Sequence, residues 1–175
     1  MKKIAALSMV LLLLLTSAAF AGKQLTKDER LALDASDIIA SNYRYTMFDF
    51  IQVEAENGVL FLHGFVTAPY KVKDYIYEIK DELGKELEIV NEVEILPASV
   101  SDEQIRAAMW KRLRSSGSLL PYTFQRFPEP VHVLVANGRI TLEGKVYSKM
   151  DKKLIEMKAR SLFGVLSVEN NLQYD

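Results

Sequence analysis

The chain has 175 residues, 49% hydrophobic and 26% charged, a globular composition with room for one domain or two small ones. Cysteine is absent, which excludes a disulfide scaffold, a thiolate metal site, a cysteine nucleophile and lipidation of an N-terminal cysteine. Only two histidines, His63 and His132, are present, too few for a histidine-rich metal site, and the formal net charge of -1 conceals an asymmetry between the two halves.

Residues 1–21 read as an export signal. Lys2 and Lys3 form a short basic region, Ile4 to Leu15 an apolar one, and Ala19-Phe20-Ala21 fits the small-x-small cleavage rule, so the mature chain is expected to start at Gly22. The apolar run is shorter than the ~20 residues of a spanning helix, which favours cleavage and a periplasmic destination over an uncleaved anchor.

Two copies of one unit follow, expected over residues 26–96 and 100–175. Thr26-x-x-Glu29 is a capping-box pattern that opens the first helix. A shift of 80 residues aligns the run from Ile51 to Val66 with the run from Val131 to Val146, Asn57-Gly58 with Asn137-Gly138, Gly64 with Gly144 and Gly84 with Gly164. Asn-Gly between alternating apolar runs is a strong two-residue hairpin signal, because both turn residues need positive φ. The turn sets the pairing: Val53 opposite Leu62 and Ala55 opposite Leu60, then Val133 opposite Leu142 and Val135 opposite Ile140, on the core face.

Pro69 suits the first turn of the next helix, and Val72, Ile76, Ile79 and Leu83 make its apolar stripe. Gly84 and Gly164 stand where left-handed C-terminal residues are wanted. One register shift then aligns Ile89, Val93 and Ile95 with Val168, Leu172 and Tyr174. The linker from Leu96 to Val100 is short enough to bring the copies into contact. In the second copy Ser101-x-x-Gln104 is a capping-box pattern for a helix carrying Ile105, Met109 and Leu113, and Ser148 caps the last helix. Each copy therefore reads α-β-β-α-β, an α+β unit with a three-stranded mixed sheet packed against two helices.

This pattern resembles the BON domain, the bacterial osmotic-induction and nodulation domain. The resemblance rests on strand, Asn-Gly, strand, and a glycine six residues past the turn glycine. It is close from Val133 to Val146 and at Gly164-Val165-x-x-Val168, and weaker in the first copy, where Lys85 follows Gly84 instead of valine. It implies a tandem of BON-like domains, with Asn57, Gly58, Gly64, Asn137, Gly138 and Gly144 as structural turn residues. It also implies attachment to phospholipid or action near the cell envelope, with no catalytic residues.

Charge divides the copies. From Gly22 to Ala98 eight Lys and Arg face fifteen Asp and Glu, a net of -7; from Ser99 to Asp175 twelve face eight, a net of +4. The second copy suits anionic headgroups, at on the order of 1 kcal/mol per cation near such a surface. Within it Arg106, Trp110 and Arg114 are spaced by four, with Lys111 beside them, and tryptophan favours the membrane interface. The segment from Leu119 to Phe127 adds apolar and aromatic residues that read as exposed. The competing reading is that Trp110 covers the core edge or packs against the first copy, stacked by arginine.

The outer sheet face separates the copies too. Arg139, Thr141, Glu143 and Lys145 read as solvated, whereas Val59, Phe61, His63 and Phe65, joined by Phe50, form a largely apolar face. Phe50, Val59, Phe61 and Phe65 therefore need a cover: the other copy, the N-terminal segment or a partner. His63, opposite Gln52, and His132, opposite Glu143, read as surface strand residues rather than ligands or bases. Glu54, Glu56, Glu92 and Glu94 lack the loop geometry of a dedicated calcium site, and no metal or cofactor is expected. Export and the absence of basic net charge argue against nucleic acid.

The leading expectation is a non-enzymatic envelope protein whose second copy binds anionic phospholipid peripherally, in support of envelope integrity or stress tolerance. The rival is a periplasmic protein-interaction or chaperone-like module that uses the apolar face of the first copy with an envelope protein partner. Lipid binding driven by charge falls steeply with salt, whereas apolar partner binding does not.

Overall fold

A computed structural model describes residues 24–123 and 131–174. The expected export signal lies outside the described residues, as does the part of the aromatic segment from 124 to 127.

The first unit runs α1 (Lys27–Ser41), β1 (Phe50–Glu56), β2 (Val59–Val66), α2 (Pro69–Leu83) and β3 (Ile89–Ile95). The second runs α3 (Val100–Arg114), a single 3-10 turn (Leu120–Thr123), β4 (His132–Ala136), β5 (Arg139–Glu143), β6 (Lys145–Val146), α4 (Lys149–Arg160), β7 (Ser167–Asn170) and β8 (Gln173–Tyr174). Each unit has the α-β-β-α-β order, with the last two strands of the second unit broken into short pieces.

The sheets are mixed, in the orders β1-β2-β3 and β4-β5-β7, with β6 and β8 pairing separately. Hairpin pairing is antiparallel, with Val53 opposite Leu62 and Val135 opposite Ile140, as the two-residue turns require. The returning strand is parallel to the middle one: Leu60 meets Ile89, and Ile140 meets Val168. Val66 meets Ile95 and Val146 meets Tyr174, so the single register shift between copies holds along the whole ladder.

Thr26 makes the reciprocal capping box with Glu29, Pro69 opens α2, and the Ser148 side chain accepts from Asp151 N. The start of α3 differs from the Ser101 expectation. Its cap is Ser99, whose Oγ accepts from Asp102 N at 3.0 Å. The earlier start leaves the Asp102 carboxylate free to reach another element.

That element is the hairpin turn. Asp102 accepts from Asn137 N at 2.9 Å and Gly138 N at 2.8 Å. In the first unit Asp28 accepts from Asn57 N and Gly58 N, both at 3.0 Å. Both turns have positive φ at Asn and Gly, the conformation that satisfies a two-residue hairpin. Gly64 and Gly144 have a different role from the turn residues. Gly64 lies within β2, where a Cβ would stand 2.0 Å from the Phe50 carbonyl oxygen, so close approach of β1 demands glycine there.

Each unit buries its own core between sheet and helices. Ala35, Ile38, Ile39, Leu60, Leu62, Val72, Tyr75 and Ile79 form the first. Ile105, Met109, Leu113, Val133, Ile140, Leu142, Ile155 and Leu172 belong to the second. Burying such a side chain stabilises by about 1.5–3 kcal/mol. Met47, from the loop between α1 and β1, is also part of the second core, and Phe48 packs against it.

Candidate functional site

The loop before β1 decides how the units meet. Asp49 is fully buried and holds the loop to the start of α2. Its carboxylate accepts from Thr46 N and Oγ1, from Thr67 N and Oγ1, and from Lys71 Nζ at 2.6 Å. With the loop so fixed, Met47 O accepts from Val133 N at 2.6 Å, a strand-like bond between units.

His132 lies in this junction. It is buried, its ring centroid 5.6 Å from that of Tyr45 and 5.2 Å from that of Phe50. The surface expectation for His132 is therefore corrected: β4 turns His132 and Leu134 onto its outer face, and both are buried. Burial pushes the His132 pKa down to about 4, against the opposing influence of Asp49. The neutral imidazole leaves Nδ1 without a hydrogen-bond partner. His63 remains half-buried at the strand surface, with Nδ1 3.2 Å from Glu92.

Of the expected partner face, Phe50 meets His132, while Val59, Phe61 and Phe65 are half-buried. Glu54, Glu92 and Glu94 share their face of the sheet. Among the described residues no group of three or more His, Cys, Asp or Glu is arranged to hold a metal ion.

The basic-aromatic group on α3 is split by the structure. Trp110 is 43% exposed, and the Arg114 guanidinium lies 4.6 Å from its ring centroid. Lys111 and Arg114 are exposed. Arg106 is not part of this surface: it is 2% exposed, donating from Nη2 to the Val135 carbonyl at 2.7 Å and from Nη1 to Glu103 at 2.5 Å. The reason is helical drift. Each step of four residues rotates the direction by about 40°, so Arg106 faces the sheet edge beside Asp102 and Ile105, while Arg114 faces water.

The expected aromatic loop is also corrected where it is described. Leu119 and Tyr122 are buried, because the 3-10 turn folds them into the second core. Tyr122 donates to Asp151 at 2.9 Å and accepts from Tyr147 N at 3.0 Å. The two polar partners of the Tyr122 hydroxyl were not signalled by the apolar composition of the segment.

A site that sequence spacing missed lies on the other flank of α3. A groove of about 530 Å³ runs between that helix and the turn after α4, lined in part by Ile105, Ala108, Lys111, Arg112, Leu162 and Phe163. Phe163 is wholly exposed and Leu166 is 74% exposed. Their only sequence signal was the position of two large apolar residues around Gly164. Among the described residues no helix is long and apolar enough to cross a membrane.

No curated protein matches this chain. Two solved chains of CdsD, described as a structural protein of the type III secretion system of Chlamydia trachomatis, are 17% identical with a TM-score of 0.34; the matches cover 87% of this chain and 69% and 66% of theirs. The family model described as BON domain matches residues 101–175. The match spans the helix, Asn-Gly hairpin, helix and parallel return strand of the second unit, so that unit is similar to the BON domain over its whole length.

Proposed function

We propose that this is a non-enzymatic envelope protein whose second unit attaches peripherally to anionic phospholipid through Trp110, Lys111 and Arg114. The observation that carries the reading is Trp110, 43% exposed with Arg114 against its ring, on the half with net charge +4. The cations draw the domain to the surface, and the indole adds shallow insertion at the headgroup level. The export signal points to the periplasm as the place of action, and the BON domain to envelope integrity or stress tolerance as the role.

Flotation of the mature protein with phosphatidylglycerol-containing vesicles tests this. Native protein is expected to float with them, to stay behind with phosphatidylcholine alone, and to be released by high salt. Lys111→Glu with Arg114→Glu should weaken binding at least about tenfold, since each cation contributes on the order of 1 kcal/mol. Trp110→Ala should weaken it with an unchanged circular dichroism spectrum. Normal binding by Trp110→Ala would make the tryptophan a packing residue.

A second reading is favoured by the half-buried row Val59, Phe61 and Phe65 among acidic neighbours: an interaction face for an envelope protein. In that case Phe61→Glu abolishes recovery of the partner and leaves vesicle binding intact.

A further inference from the structure

We infer that the turn after α4, residues 161–166, is a second membrane-insertion element, through which Phe163 and Leu166 enter the interface of an anionic bilayer. This rests on the lipid reading above and adds a contact that Trp110 does not supply.

The turn is firmly held yet points apolar groups outward. Leu162 is buried, Val165 packs on the second core, and Leu166 N donates to the Gly138 carbonyl at 2.8 Å. Arg112 ties the turn to α3, donating to Ser161 Oγ and to the Lys158 carbonyl. Phe163 nevertheless stands entirely in water, with Leu166 three residues on. Two large apolar side chains on a fixed turn are unusual for a surface that contacts only solvent.

Charge and shape select the occupant. Lys111 shares the groove with Phe163, and Arg139 pairs with Ser167 just beyond Leu166 and is exposed. Three nearby carboxylates are engaged, Asp102 in the hairpin turn, Glu103 with Arg106, and Glu156 with Arg160 and Asn170, while Glu169 is exposed on the face of Arg139. A protruding phenyl ring with Lys111 beside it and Arg139 next to the turn fits a deformable anionic interface, where the ring sits below the phosphates and the cations meet them.

The placement on α3 makes both contacts compatible. Lys111 stands about 100° round the helix from Trp110, and Ala108, in the groove, about 60° further. A bilayer resting on the outer side of α3 would meet Lys111 centrally, with Trp110 on one flank and the Phe163 turn on the other.

The absence of cysteine makes the test direct. Leu166→Cys, labelled with an environment-sensitive nitrobenzoxadiazole dye, should shift to the blue on phosphatidylglycerol vesicles and be quenched by spin-labelled lipid, with neither change on phosphatidylcholine alone. Phe163→Ser with Leu166→Ser should keep the native circular dichroism spectrum and weaken vesicle binding roughly tenfold, given the apolar area withdrawn. If native protein binds vesicles while the dye stays water-like, or the serine pair binds normally, the insertion element is overturned and the Trp110 surface stands. If native protein binds no anionic vesicle, both fall together. If the serine pair instead dissolves a concentration-dependent oligomer without changing lipid binding, the turn is a self-association contact and the inference is overturned.

Discussion

The two units carry the same hairpin clamp in different surroundings. A carboxylate from the first turn of a helix takes both N–H groups of the Asn-Gly turn in each: Asp28 at an exposed edge, Asp102 fully buried. The glycines differ in the same sense. A Cβ on Gly58 meets nothing within 4 Å, whereas one on Gly138 would lie 3.0 Å from the Gly164 carbonyl and 3.2 Å from Leu166. The first unit's turn is an open end, while the second's supports the apolar tip. The units also depend on each other: the loop of the first completes the core of the second, and His132 of the second packs against Tyr45 and Phe50 of the first. The two units thus share a backbone frame and differ in what surrounds it.

Met47→Ala should give the largest effect and would expose the asymmetry. Met47 is 6% exposed within the second core, and removing such a side chain costs about 2–5 kcal/mol. Amide exchange should accelerate first in α3, β4 and β5, although the substitution lies in the first unit. Faster exchange confined to α1 and α2 would show that the loop serves its own unit only.

Acid should loosen the junction next. The folded His132 pKa, about 4, lies below its ordinary value of 6.5, so the unfolded chain binds more protons between these values. The stability from the neutral imidazole is full above about pH 6.5 and is lost as pH falls toward about 4. The integrated loss is up to roughly 3 kcal/mol. Burial raises the pKa of Glu143, its partner across the hairpin, and that group works in the opposite direction at the acid end. Urea midpoints measured across this window for native protein and His132→Phe should show a flatter profile in the variant. Identical slopes would place the acid sensitivity elsewhere.

The clamps provide the sharpest comparison. Asp102→Ala leaves two N–H groups facing a buried void and should cost about 2–4 kcal/mol, while Asp28→Ala, whose N–H groups turn to water, should cost no more than about 1. Thermal melts of the two variants would separate them. Equal losses would mean that burial does not set the value of the clamp.

Much of the fold was legible because its signals are local. Asn-Gly turns dictate hairpin register, period-two alternation marks the core face, and the Thr26 and Ser148 caps open helices by contacts within three residues. The shared offset then aligned the third strands of the two copies, which the structure pairs in parallel with the middle strand in equivalent registers. The candidate surface was legible only in part. Trp110, Lys111 and Arg114 emerged from spacing, but Arg106 did not survive the drift of the helix, and Leu119 and Tyr122 turned inward where composition suggested water.

By itself, the sequence determined the α-β-β-α-β order of each unit, the hairpin registers and the charge division between the halves, all of which depend on near neighbours or on summed composition. Tertiary structure alone decided that Met47 serves the other unit's core, that His132 is enclosed by Tyr45 and Phe50, that Asp49 and Lys71 pair in the interior, and that Phe163 faces water. These outcomes depend on which surfaces meet after the strands and helices have formed. Residues distant along the chain compete for the same buried volume, and the winner is set by shape and desolvation rather than by any pattern within one segment.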